Sequence, residues 1–117
     1  MEDYVIEIDL TYLYSLTGGD KNFEKMLLAG AVEDVNAKIN GLSESWKVKD
    51  AGGIKRNAHS LVSLSAIAGM PQVAKWSRVI DQGFSDGSFH TELTAMIQHI
   101  VLGWPAAKMQ LDKLIAE

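Results

Sequence analysis

Along most of the chain, apolar residues recur at intervals of three and four, the period of a helix with one buried face. Phe23, Leu27, Ala31, Val35, Ile39 and Leu42 mark such a face. Asp20 is placed to cap that helix, and Gly41 to end it near Asn40. The segment "SESWKVK" then reads as a connection, with Trp46 packing against the helices. Asp50 opens a second long helix through Ala68; Gly52 and Gly53 weaken its first turn and Gly69 stops it. Met70 and Pro71 begin a third, running to about Phe84 with Val73, Trp76, Val79 and Ile80 inward. The turn "SDGS" and a cap at Ser88 introduce the last helix, with Leu93, Ile97, Ile100, Trp104, Leu111 and Leu114 as its stripe. Pro105 removes one backbone donor from that helix and predicts a kink near Gly103.

The N-terminal "VIEIDL" alternates as a strand would, but there is no second strand for it to pair with. It reads as an arm, or as the lead-in to a short helix over Leu10 to Leu16, capped by Asp9 and ended by Gly18 and Gly19. The expected fold is all-α: an antiparallel four-helix bundle with a short additional N-terminal helix, forming one domain over residues 1–117.

Composition narrows the function classes. With 117 residues and 47% hydrophobic content, the chain can bury a real core. It has no cysteine, which excludes a disulfide framework and a thiolate metal site and fits the cytoplasm. No run approaches the roughly 18 apolar residues of a membrane span. The acidic start lacks the basic n-region of a signal peptide. A net charge of −4 without a basic tract argues against nucleic acid as a partner. The leading Met1 and the absence of a linker favour a stand-alone protein over an excised domain.

The candidate chemistry lies in "KRNAHSLVSLSAIAGM", residues 55–70. With Ile54 at the centre of the buried face, Ala58, Leu61, Ser65 and Ala68 fall within about 40° of it, and Leu64 lies at its edge. His59 falls about 140° away, so the helix presents it to solvent or to a partner. One turn back stand Lys55 and Arg56; one turn on stand Val62 and Ser63, with Ala66 beyond. An exposed lone histidine is most often a plain surface residue, so the flanking sequence has to decide.

That flanking sequence resembles the histidine-containing phosphotransfer (HPt) domains of two-component phosphorelays. Their motif places a leucine two residues after the phosphorylated histidine, lysine and glycine at the third and fourth positions, small residues next, and a glycine at the tenth. This chain has Ala58, His59, Leu61, Ser65, Ala66 and Gly69 in register. "LTGGDKNFEKMLL" looks like the start of the second helix of such domains, and length and helix order agree over nearly the whole chain. It departs at Val62, where the family has the lysine, and at Ser63, where it has the glycine.

The resemblance implies a phosphocarrier rather than a complete enzyme. His59 would be the phosphoacceptor, taking a phosphoryl group from a receiver-domain aspartate and passing it to another receiver. Lys55, Arg56 and Ser63 would surround the phosphate, with Lys55 or Arg56 in place of the missing lysine. Val62, Ala66 and Ile67 would form the docking surface for a response-regulator receiver or a hybrid histidine kinase. The receiver would supply the aspartate and the divalent metal, so this chain would need no cofactor or metal of its own. Monomers are usual in the family.

Two alternatives stay open. With Val62 at the lysine position, the chain is also readable as a degenerate HPt-like module that binds a receiver or kinase without phosphotransfer. A self-associating bundle unrelated to signalling would use the same exposed apolar strip. Elsewhere, His90 and His99 are nine residues apart and share no face, and no Glu-x-x-His spacing of a di-iron bundle occurs. "TGGD" and "AGG" lack a P-loop lysine, and Ser60 and Ser63 have no strand-turn elbow or orienting acid for a hydrolase.

Overall fold

In the computed structural model, residues 4–84 and 90–117 are described. Five helices follow in order: α1 Thr11–Thr17, α2 Lys21–Lys47, α3 Ala51–Ile67, α4 Pro71–Gly83 and α5 Thr91–Ala116. No strand occurs among the described residues. Helices α2 to α5 close a ring in which α3 packs on α2 and α4, and α5 packs on α2 and α4 from the other side of the core. With two of the three joining segments only three residues long, successive helices run antiparallel, and α1 lies across α2 and α3. The expected all-α bundle with an extra N-terminal helix is the fold observed.

Two caps form as the sequence indicated. Asp20 accepts from Phe23 N at 3.1 Å and Asp50 from Gly53 N at 3.1 Å, each satisfying an otherwise unpaired amide of a first turn. Asp9 accepts from both Thr11 N and Thr11 Oγ1, although the helix itself begins two residues later, at Thr11. The turn at Ser85–Ser88 and the cap at Ser88 lie outside the described residues; the residue preceding α5 is His90.

The largest boundary error is at the end of α2. The helix does not stop at Asn40 but continues to Lys47, taking in most of the expected connection. Gly41 is not its terminator. A Cβ there would collide with the side chain of Asn57, so the glycine lets α3 approach α2 closely. The chain turns instead at Lys49, which takes the left-handed conformation at φ 57°. The Lys49 ammonium lies 4.4 Å from the Trp46 ring centroid, and that indole is half-buried against the core.

The core is drawn from all four long helices and includes Leu28, Val35, Ile39, Leu42, Ile54, Leu61, Val73, Ile80, Ile97, Ile100 and Leu111. The face of α2 is rotated slightly from the expected one, for Leu28 and Val32 are buried while Phe23 is exposed. Val79, expected inward on α4, is 38% exposed. On α5 the helix continues through Pro105 to Ala116. Gly103 makes room for the N-terminal arm, whose Tyr4 carbonyl and Ile6 side chain would stand 2.9 Å from a Cβ at that position. "VIEIDL" is therefore an arm without regular structure lying on α5, anchored by its own buried Ile6.

Gly69 closes the α3–α4 corner at φ 77°, and its carbonyl accepts from Asp9 N at 2.8 Å. A Cβ there would strike Leu10 and come within 3.1 Å of the Asp9 carbonyl. Gly69→Ala is expected to cost about 2–4 kcal/mol, from left-handed backbone strain plus displacement of the arm. Urea unfolding would measure it, and an unchanged midpoint would refute this account of the glycine.

Candidate functional site

Helix α3 separates packing from presentation cleanly. Ile54, Ala58, Leu61, Ser65 and Ala68 are all 0% exposed. His59, on the opposite side, has 77% of its side-chain surface exposed. The wheel argument from sequence holds for the inner residues it named and for His59, because α2 and α4 flank α3 and both bury its inner face, while Val62 and Ile67, expected exposed, are half-buried.

The environment of the imidazole was only partly legible. Its Nδ1 lies 3.0 Å from Oδ2 of Asp81, at the C-terminal end of α4. The other carboxylate oxygen, Oδ1, accepts from Lys55 Nζ at 3.0 Å, and the same ammonium donates to the Asp81 backbone carbonyl at 2.9 Å. Lys55, Asp81 and His59 thus form a clasp across the α3–α4 seam. Only 18% of the Asp81 side-chain surface is exposed. Its partial burial works to raise the carboxyl pKa, but hydrogen bonds from His59 and Lys55 and the Lys55 charge outweigh it, and the net direction is below the ordinary 3.8. The stability this carboxylate contributes is therefore fully present above 3.8 and is lost only as pH falls through the lower folded-state value.

Of the residues expected around a phosphate, Lys55 is committed to Asp81. Arg56 is largely exposed and sits 4.0 Å from the cap residue Asp50. Ser63 is exposed, one turn beyond the histidine. Val62, Ala66 and Ile67 are half-buried on the same outer side of α3. A shallow groove beside His59 is lined by Lys55, Arg56, Asn57, Ser60 and Asp81, and also by Lys38 of α2. Asp81 and Lys38 are the two members of this neighbourhood that the sequence did not reveal. They lie 22 and 21 residues from His59 on other helices, and no local pattern marks a tertiary neighbour at that range.

The other histidines are placed differently. His99 has Nε2 3.1 Å from the Val5 carbonyl, and its ring packs against Trp76 at 4.4 Å and edge-on to Tyr4 at 5.4 Å. It fastens the N-terminal arm. His90 is exposed just before α5. Among the described residues no three histidine or acidic side chains gather as a metal site would require. None of their helices is long and apolar enough to cross a membrane.

His59 is thus an exposed, carboxylate-held histidine at mid-helix on a four-helix bundle, and structural comparison agrees on the fold. The chain superposes on the crystal structure of histidine-containing phosphotransfer protein B (HptB) from Pseudomonas aeruginosa PAO1, with a TM-score of 0.77 over 93% of this chain and 94% of that one. Sequence identity is 18%, so the likeness is one of fold. No family model matches the sequence, and no curated protein does.

Proposed function

We propose that this chain is a histidine phosphocarrier of a two-component phosphorelay. His59 accepts a phosphoryl group from the aspartyl phosphate of a receiver domain and returns it to another receiver. The observation that carries this reading is His59 itself, 77% exposed on a helix whose opposite face is wholly buried, in a fold shared with HptB. Phosphoryl transfer requires in-line placement and charge stabilisation more than covalent machinery. A rigid helix carrying an exposed imidazole meets the first requirement, and the receiver brings its own aspartate and divalent metal.

The second requirement falls to Lys38 and Arg56. Val62 supplies no charge where the HPt motif has lysine, and Lys55 is engaged by Asp81. Lys38 reaches the groove from α2, and Arg56 stands one turn before the histidine. Around the ring, Ser63 and Ala66 leave clearance for a partner, while Val62 and Ile67 add apolar area that a receiver surface covers on docking. The domain spans residues 1–117 and works as a monomer, without a cofactor of its own.

Val62 also supports a second reading, a docking module that binds a receiver or kinase and transfers nothing. The deciding experiment offers the purified chain phosphorylated receivers from the same organism, with phosphoramidate as a partner-free donor, and reads intact mass. One acid-labile phosphoryl group per chain is expected. If no donor labels the chain while receivers still bind, the docking module replaces the carrier. If receivers neither label nor bind, both signalling readings fail.

A further inference from the structure

We infer that the outer face of α5 pairs two copies of this chain about a twofold axis. The helix is apolar on two sides. Its inner stripe, with Ile100 and Trp104 at the middle, is buried in the core. Leu102 is two residues from each of these, about 200° around the helix, and so points away from the core. It is 51% exposed; Met109, seven residues on and on the same face, is 65% exposed. Pro105 and Ala106 lie exposed between them. Residues 93–107 carry no Asp, Glu, Lys or Arg, a length of about 22 Å along the helix. A helix apolar all round is ordinarily covered on both sides, and here the outer side stands open. The arm and α4 widen the strip. Val5, whose carbonyl meets His99 of α5, is exposed, and so is Val79, one turn from the Trp76 ring that packs on His99.

What fits this strip is a second copy of itself. An exposed acid, Glu92, stands near one end and an exposed base, Lys113, near the other. Neither side chain has a partner among the described residues, whereas the nearby Lys108 and Asp112 satisfy each other at 2.7 Å. Laid antiparallel, with Leu102 of each copy against Pro105 of the other, two α5 helices bring each Glu92 within about two residues, or 3 Å along the axis, of Lys113 of the other copy. A parallel pair sets Glu92 against Glu92. The strip is therefore complementary to itself under a twofold rotation, which uses the same patch twice and closes the assembly at two. A lipid surface would call for a basic rim, and this strip has one free charge of each sign on a chain of net charge −4. One consequence rests on the phosphocarrier reading. Because α5 lies across the core from α3, pairing leaves both His59 side chains facing outward. Transfer needs only one chain, and the pair offers two acceptors at once to an assembly that carries two receivers.

Sedimentation velocity on the full chain, without any phosphoryl donor, tests the pairing independently of that reading. A reversible monomer–dimer equilibrium is expected, half dimeric near about 100 μM, as suits a small interface. Leu102→Glu puts a charge in the middle of the strip and is expected to weaken association about 10-fold or more. Its side chain is half in solvent already, so the helical circular dichroism and melting temperature should stay close to wild type. Glu92→Lys and Lys113→Glu, taken singly, each set like charges together twice and are expected to weaken the dimer about 3-fold or more, and the double reversal is expected to restore it. A wild-type chain that stays monomeric to about 1 mM overturns the proposal. So does a dimer that neither Leu102→Glu nor the single reversals weaken, since its interface lies elsewhere. A chain that remains monomeric but binds phosphatidylglycerol vesicles through Leu102 also overturns it, and gives the strip to a membrane surface.

Discussion

His59→Gln is expected to lower phosphoryl uptake from a phosphorylated receiver by about 10³-fold or more while leaving the melting temperature nearly unchanged. The two halves of that expectation have separate causes. Glutamine has no nucleophilic nitrogen, so the acceptor is gone. The side chain it replaces is 77% exposed, and an amide can still donate to Asp81, so little packing or hydrogen bonding is lost. The other histidines make the choice of donor important. A receiver delivers phosphate only to the ring over which it docks. Phosphoramidate is small and reaches any exposed imidazole, which includes His90. His99 is covered by Tyr4 and Trp76 and tied to the Val5 carbonyl. Receiver-driven label should therefore vanish in the variant, while any residual phosphoramidate label should map to a His90 peptide. Undiminished labelling by the receiver would move the acceptor away from His59.

The sequence was most informative where one face of a helix had to be buried. On α3 a single choice of centre, Ile54, places Ala58, Leu61, Ser65 and Ala68 inside correctly and leaves His59 outside. Caps at Asp20 and Asp50 were equally legible, because a short acceptor ahead of an apolar-periodic run has few other uses. Glycine was ambiguous. Gly69 ends a helix as expected, yet Gly41 lies inside one, since glycine serves close helix approach as readily as termination. The composition of the segment around Gly41 could not separate these, because the deciding partner, Asn57, is on another helix.

The site shows the same division. His59, Arg56 and Ser63 share one helix, and their relation is fixed by its period. Asp81 reaches the ring only because α4 packs beside α3, and Lys38 only because α2 packs on the other side. Reading charge along α3 alone placed two cations beside the histidine. The group in hydrogen-bonding contact with it is a carboxylate, which also takes up one of those cations. Tertiary packing thus reversed the sign of the nearest charge without changing the position of any α3 residue.

Leu61→Ala should give the converse of His59→Gln, with stability falling and chemistry persisting. The two positions are two residues apart, about 200° around the helix, so they occupy opposite faces. Leu61 is 0% exposed and belongs to the central cluster shared by the four long helices. Its truncation removes buried methyl groups and leaves a cavity that neighbours on α2 and α4 fill only partly, at a cost of about 2–5 kcal/mol. In a domain of this size, each kcal/mol moves the midpoint by about 4 °C, so the melting temperature should drop by about 8–20 °C. The Lys55–Asp81–His59 clasp does not involve the Leu61 side chain, so well below the new midpoint the folded variant should still take phosphate from a receiver at near the wild-type rate. Thermal melts and uptake assays on one preparation would check both halves. An unchanged melting temperature would mean that Leu61 does not hold the core. A normal fold with uptake lost would mean that the leucine acts on the histidine directly, and that α3 does not divide its packing and presenting faces as its exposure pattern implies.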